Sequence, residues 1–129
     1  MVAVRYYSKS GNTKLLAEAI GRGAGVLPIS VDEDSAKITE DIDVLFIGGA
    51  LYAYGLDKEM NNYLAGIDGK KVKKAVVFST SWISKHSIDL IKKALKEKGI
   101  QVEEEACYFR NKPNDNQLKQ AEEFAKKFI

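Results

Sequence analysis

Unbroken apolar runs alternate along this chain with stretches whose apolar positions recur at helical spacing. Residues 2–7 form a β-rich run, and residues 12–22 follow with Leu15, Leu16, Ala19 and Ile20 on one helical stripe. Gly21, Gly23 and Gly25 are expected to end that helix, because glycine tolerates the left-handed conformation found there. Residues 26–31 read as a short strand, and the polar residues 32–41 as at most a short helix. Residues 43–48 make the clearest central strand. Val44, Leu45, Phe46 and Ile47 run on without polar alternation, as expected when both faces of a sheet are covered.

The second half continues in the same way. Residues 56–67 read as a helix with Met60, Tyr63, Leu64 and Ile67 on one face, and residues 74–78 as a second buried strand. Residues 87–98 present Ile88, Ile91, Ala94 and Leu95 at helical spacing, Gly99 closes that helix, and residues 100–109 form the last strand. Asn114 followed three residues later by Gln117 is a capping-box signature. It opens a final helix whose stripe is Leu118, Ala121, Phe124, Ala125 and Phe128. The predicted order is βαβαβαβαβα, with five strands and up to five helices. Repeated βα units imply an α/β fold, a parallel sheet with right-handed crossovers and helices on both faces. No linker, repeat or low-complexity tract divides the 129 residues, so one domain over 1–129 is expected.

Composition narrows the chemistry. A net charge of +2, with 29% charged and 45% hydrophobic residues, is that of an ordinary globular domain without an extended basic surface. No apolar run is long enough for a membrane span, and the start lacks a secretory pattern, so a cytoplasmic domain is expected. One cysteine, Cys107, and one histidine, His86, leave no material for a disulfide or a cysteine- or histidine-based metal site. Lys70, Lys71, Lys73 and Lys74 precede the fourth strand at the edge opposite the loops discussed next, and read as a solvated turn rather than a nucleic-acid patch. Glu103, Glu104 and Glu105 fit an exposed edge strand, where charge discourages aggregation.

In an open α/β sheet, ligands bind outside the carboxyl ends of the strands, where strand order reverses. Three segments leave that edge. The first is Ser8-Lys9-Ser10-Gly11-Asn12-Thr13. Its hydroxyls can donate to phosphate oxygens, Gly11 permits a tight turn, and the amides opening the next helix attract an anion. Serine, asparagine and glycine in this place also serve as plain turn and cap residues. Neither the GxxxxGK[ST] run nor the GxGxxG fingerprint is present. The second segment is Gly48-Gly49-Ala50-Leu51-Tyr52-Ala53-Tyr54-Gly55, whose tyrosines can stack on a planar ligand or cover the following helix. The third is Ser79-Thr80-Ser81-Trp82, where hydroxyls precede the only tryptophan, a residue that either the core or a ligand can cover. Together the three describe a phosphorylated, flat, heteroaromatic ligand.

These residues resemble the flavodoxin family. Its phosphate loop, [ST]-x-[ST]-G-x-T, is matched in full by Ser8-Lys9-Ser10-Gly11-Asn12-Thr13. The flanking Val4-Arg5-Tyr6-Tyr7 and Lys14-Leu15-Leu16-Ala17-Glu18-Ala19-Ile20, the run Phe78-Ser79-Thr80-Ser81 and the closing helix are similar as well. The continuous last strand resembles the short-chain branch. The resemblance implies a five-stranded parallel sheet of order 2-1-3-4-5 and FMN as cofactor. It places the phosphate on Ser8, Ser10, Asn12 and Thr13, with Lys9 and Gly11 in the same loop. Tyr52 would lie against the ring and Trp82 would be the second stacking aromatic, with the Ala53 backbone carbonyl at flavin N5, Ala50, Leu51 and Tyr54 in the same cofactor-binding segment, and Ser79, Thr80 and Ser81 along the ribityl chain and ring edge.

The implied function is a low-potential electron carrier with redox proteins as partners. No nucleic acid or membrane insertion is expected, and a monomer is the default. The alternative is a small FMN-dependent oxidoreductase, of the quinone reductase or protoporphyrinogen-oxidase-like kind. The slightly basic chain, with Lys9 inside the phosphate loop and Lys85 and His86 after the third, departs from the acidic flavodoxin norm and leans toward that alternative. A receiver-type signalling domain needs an acidic pair after the first strand and an aspartate ending the third. Tyr7-Ser8 and Gly48-Gly49 occupy those places. A flavodoxin-like domain that has lost its cofactor is the remaining reading, and the intact phosphate loop argues against it.

Overall fold

The buried runs come together as a parallel sheet. The computed structural model describes residues 1–52, 55–81 and 85–129, with the backbone alone at 51 and 52. Strands β1 (Val2–Tyr6), β2 (Pro28–Ser30) and β3 (Val44–Gly48) are followed by two short strands, β4 (Leu51–Tyr52) and β5 (Gly55–Leu56), then by β6 (Lys74–Thr80) and β7 (Gln101–Phe109). The helices are α1 (Asn12–Ala24), α2 (Lys58–Gly66), α3 (His86–Glu97) and α4 (Asp115–Lys126). The main sheet runs β2-β1-β3-β6-β7, all parallel, while β4 and β5 form a separate antiparallel pair. Counting the main sheet alone, this is the expected 2-1-3-4-5 order.

Register explains the two cores. Val4 pairs with Phe46 and Phe46 with Val76. That row faces α1 and α4, among Leu16, Ile20, Phe78, Ala121 and Ala125. Ala3, Leu45 and Ala75 form the neighbouring row on the opposite face. They pack with Met60 and Leu64 of α2 and with Ile88, Ile91 and Leu95 of α3. All five residues of β3 are buried, which accounts for its unbroken apolar run.

Only a single 3₁₀ turn (Asp34–Ala36) lies between β2 and β3. A buried arginine stitches it down. Arg5 is 8% exposed, and its Nε donates to the Ala36 carbonyl at 2.8 Å. The Tyr63 hydroxyl of α2 donates to the same carbonyl. A turn, a strand and a helix thus meet at one oxygen atom.

Several boundaries differ from expectation. Helix α1 continues through Gly21 and Gly23 to Ala24, and only Gly25, at φ 77°, ends it. The two inner glycines are there for closeness. A Cβ on Gly23 would fall on the Glu122 carbonyl of α4, and one on Gly21 on the Val26 carbonyl. Strand β6 extends two residues past Phe78, because Ser79 and Thr80 pair with Tyr108 and Phe109 of β7. The expected capping box forms: Asn114 Oδ1 accepts from the Gln117 amide at 2.8 Å and Gln117 Oε1 from the Asn114 amide at 3.0 Å. β7 is the edge strand expected of Glu103–Glu105. Between Ala75 and Val77 on β6, the partner residue on β7 moves from Val102 to Ala106. The glutamates fill this bulge, which together with their charge protects the edge. Cys107 is buried, and burial pushes its thiol up to about 12. Among the described residues, no helix is long and apolar enough to cross a membrane.

Candidate functional site

β1 and β3 are neighbours in the sheet, with β2, which follows β1, outside β1 and β6, the next main-sheet strand after β3, outside β3. Strand order therefore reverses between them, and in an open α/β sheet that is where a ligand crevice forms, outside the carboxyl ends. The segments after Tyr6 and Gly48 flank that crevice, and the end of β6 lies beside it.

The first segment is built as a loop with open donors. Gly11, the N-cap of α1, is left-handed at φ 93°, and a Cβ there would meet nothing within 4 Å. Gly11 itself has no side chain with which to cap α1. Amides in its first turn lack intrahelical acceptors, as at any helix start, and the helix dipole directs partial positive charge outward. Ser8 Oγ accepts from the Gly11 amide at 3.0 Å, and Ser10 Oγ lies 3.4 Å from the Asn12 amide. Ser10 and Lys9 are exposed, while Ser8, Gly11 and Asn12 are half-buried. Thr13 differs from the rest. It is buried, and its hydroxyl lies 2.7 Å from that of Thr80. Hydroxyls, first-turn amides and an αL glycine suit a phosphate monoester.

The end of β6 is closed by contrast. Ser79, Thr80 and Ser81 are all buried. Ser79 Oγ donates to the Gly49 carbonyl at 2.6 Å and lies 2.7 Å from Ser87 Oγ of α3. Ser81 Oγ is 3.1 Å from the same Ser87 oxygen, and the Tyr108 hydroxyl donates to the Ser81 carbonyl at 2.8 Å. These hydroxyls join the end of β3 to β6, β7 and α3. Ser87 and Tyr108 escaped sequence reasoning, since each sits in an element that reads as scaffold. Ser87 is the second residue of α3, where a serine hints at a cap.

The middle segment follows Gly48 and Gly49. Gly48 packs so tightly that a Cβ would fall on the Phe78 ring and carbonyl, whereas one on Gly49 would find ordinary contacts. Ala50 is half-buried. Leu51 and Tyr52 form β4, which pairs with β5, a short hairpin not foreseen from sequence. The side chains of Leu51 and Tyr52, and Ala53, Tyr54 and Trp82 entirely, lie outside the described residues. The aromatic walls of the expected ring slot are among them.

An ion pair, Lys9 and Asp57, lies beside the loop. Lys9 Nζ lies 3.2 Å from Asp57 Oδ2, with the lysine side chain 59% exposed and the aspartate 7%. Burial pushes the Asp57 carboxyl up, but interactions with Glu59 and Lys9 outweigh it and hold the group below the ordinary carboxylate range. Hydrogen bonding to Asp57 raises the Lys9 ammonium in turn. Among the described residues, no group of three or more histidine, cysteine or acidic side chains could hold a metal.

No family model matches the chain. An uncharacterized protein of Methanocaldococcus jannaschii is 26% identical over 136 residues, covering 92% of this chain and 90% of the relative. Among solved structures, a flavodoxin from the domain Archaea superposes with a TM-score of 0.86 at 24% identity, covering 98% of this chain and 94% of the other. Flavodoxin 1 from Bacillus cereus gives 0.81 at 21% identity, covering 98% and 95%. The fold of this chain is that of the flavodoxins, over nearly its whole length.

Proposed function

We propose that this chain, folded as a flavodoxin, binds FMN at the β1/β3 crevice and carries electrons between redox proteins. The observation that carries the reading is the start of α1. Helix α1 opens from the αL Gly11, directly behind the Ser8 and Ser10 hydroxyls, at the point where strand order reverses. FMN, when bound, supplies the one- and two-electron chemistry itself, and the protein supplies binding, orientation and electrostatics.

Each part of the site has a task in this reading. Ser8, Ser10, Asn12 and the first amides of α1 hold the phosphate. Gly11 gives the backbone the turn that aims those amides outward. The Ser79–Ser81–Ser87 cluster fixes the Gly49 carbonyl, and through it the segment carrying Tyr52 and Tyr54. No side chain of the chain is assigned to a chemical step.

The test is a titration of the purified protein with FMN and with riboflavin, followed by visible absorption and flavin fluorescence. The expected result is tight FMN binding, with riboflavin at least tenfold weaker because the phosphate contacts are absent. Reduction in steps without oxygen then distinguishes two separate one-electron steps, expected of a carrier, from the single two-electron step of an oxidoreductase. A protein that ignores both flavins sinks the reading.

A further inference from the structure

Lys9 is the one charged residue in Ser8-Lys9-Ser10-Gly11-Asn12-Thr13. A lysine there would be expected to act as a point charge on the anion. The structure directs it elsewhere, to Asp57 at 3.2 Å.

Asp57 is the N-cap of α2, yet its side chain makes no cap hydrogen bond. Its Oδ2 is buried and lacks an aligned hydrogen-bond donor. The Lys9 ammonium, 3.2 Å away, supplies the counter-charge of this oxygen. A buried carboxylate that loses its counter-charge is strongly unfavourable, so the pair is a unit rather than a chance surface contact. The surroundings are acidic as well. The Tyr7 phenol, the residue before Ser8, is pushed up by burial and then by Glu59, Asp57 and Asp32, with Lys9 opposing.

We propose that Asp57 holds the Lys9 ammonium away from the anion site, so that the Lys9–Asp57 pair sets how strongly the loop prefers a phosphorylated flavin to an unphosphorylated one. The proposal rests on the FMN reading above. With the pair intact, the phosphate meets amides and hydroxyls beside a charge-balanced neighbour. Removing the carboxylate leaves a lysine charge next to a dianion. Removing the lysine leaves a buried negative charge in the same place. The two substitutions thus act in opposite directions on the phosphate and leave the ring contacts alone. A clasp with a merely structural role would weaken in both cases, and equally for both flavins.

The experiment is a titration of wild type, Asp57→Asn, Lys9→Met, Lys9→Arg and the Lys9→Met/Asp57→Asn double variant with FMN and with riboflavin. Each titration is run at low and high salt, with circular dichroism to verify folding. Asp57→Asn is expected to tighten FMN about fivefold at low salt, an advantage that shrinks as salt screens it. Lys9→Met is expected to weaken FMN about tenfold, with riboflavin unmoved in both variants. Lys9→Arg and the double variant should return close to wild type. Equal weakening of both flavins by Asp57→Asn overturns the proposal. Where Asp57→Asn fails to fold, the exposed Lys9 variants decide. Selective FMN loss in Lys9→Met with rescue by Lys9→Arg supports the pair, and an unchanged FMN-to-riboflavin ratio overturns it. Wild type that binds neither flavin overturns the cofactor reading and this proposal with it. Wild type that prefers FMN, with a ratio no variant moves, overturns the pair alone.

Discussion

Two segments rich in serine and threonine meet the same edge of the sheet, and their hydroxyls stand in opposite circumstances. After β1, Ser10 is exposed, Ser8 is half-buried, and the helix behind them starts at a glycine with no side chain to cap it. At the end of β6, Ser79, Thr80 and Ser81 are buried, and their oxygens are matched within the protein. The residue types are the same. A hydroxyl that water reaches can be given to a ligand, whereas a buried one without a partner costs about 1–3 kcal/mol and is therefore paired. The open loop is suited to binding, and the closed cluster holds the neighbouring strands and helix in place to support it. Thr13 and Thr80 join the two regions through one hydroxyl pair.

Glycine substitution gives the largest break in this contrast. Gly48→Ala puts a methyl group on the Phe78 ring and carbonyl, both held in the sheet. It is expected to destabilise by about 3 kcal/mol or more, read as a lower urea midpoint, since overpacking a fixed core has no easy relief. Next comes Ser79→Ala. It strips a donor from the Gly49 carbonyl and a partner from Ser87. A loss of about 1–3 kcal/mol is expected, with FMN and riboflavin affected alike. Gly11→Ala meets no atom, but forces alanine to φ 93°. The expected cost is about 1–2 kcal/mol, from backbone strain alone. In equilibrium unfolding Gly11→Ala should therefore fall well short of Gly48→Ala, although it lies nearer the proposed phosphate. The smallest effect on folding is expected for Ser10→Ala, within about 0.5 kcal/mol as for an exposed position. The same variant should weaken FMN several-fold in a binding titration while sparing riboflavin. If Ser10→Ala cost as much stability as Ser79→Ala, the distinction between an open and a closed region would collapse.

The fold was largely legible because its signals are local and repeated. The apolar run of β3, the stripes of α3 and α4 and the capping box at Asn114 each state their element within a few residues. Boundaries failed where a distant element intervened. Gly21 and Gly23 look like helix terminators, yet the close approach of α4 and of the chain after Gly25 requires them inside the helix. Ser79 and Thr80 look like loop residues, yet β7 runs far enough to pair with them. The loop of residues 8–13 was legible as a motif, since its parts are consecutive. The Lys9–Asp57 pair was not, because its members are 48 positions apart in the chain and neither is unusual alone.

The sequence by itself determined the alternation of strands and helices, the doubly covered centre of the sheet and the place of the loop of residues 8–13 at its carboxyl edge. These depend on periodicity and on turn chemistry, both of which act over short stretches. Only the tertiary structure decided which hydroxyls are open and which are closed, what Arg5 binds and where the charge of Lys9 is directed. Those outcomes depend on burial, and burial is a property of what the rest of the chain brings alongside.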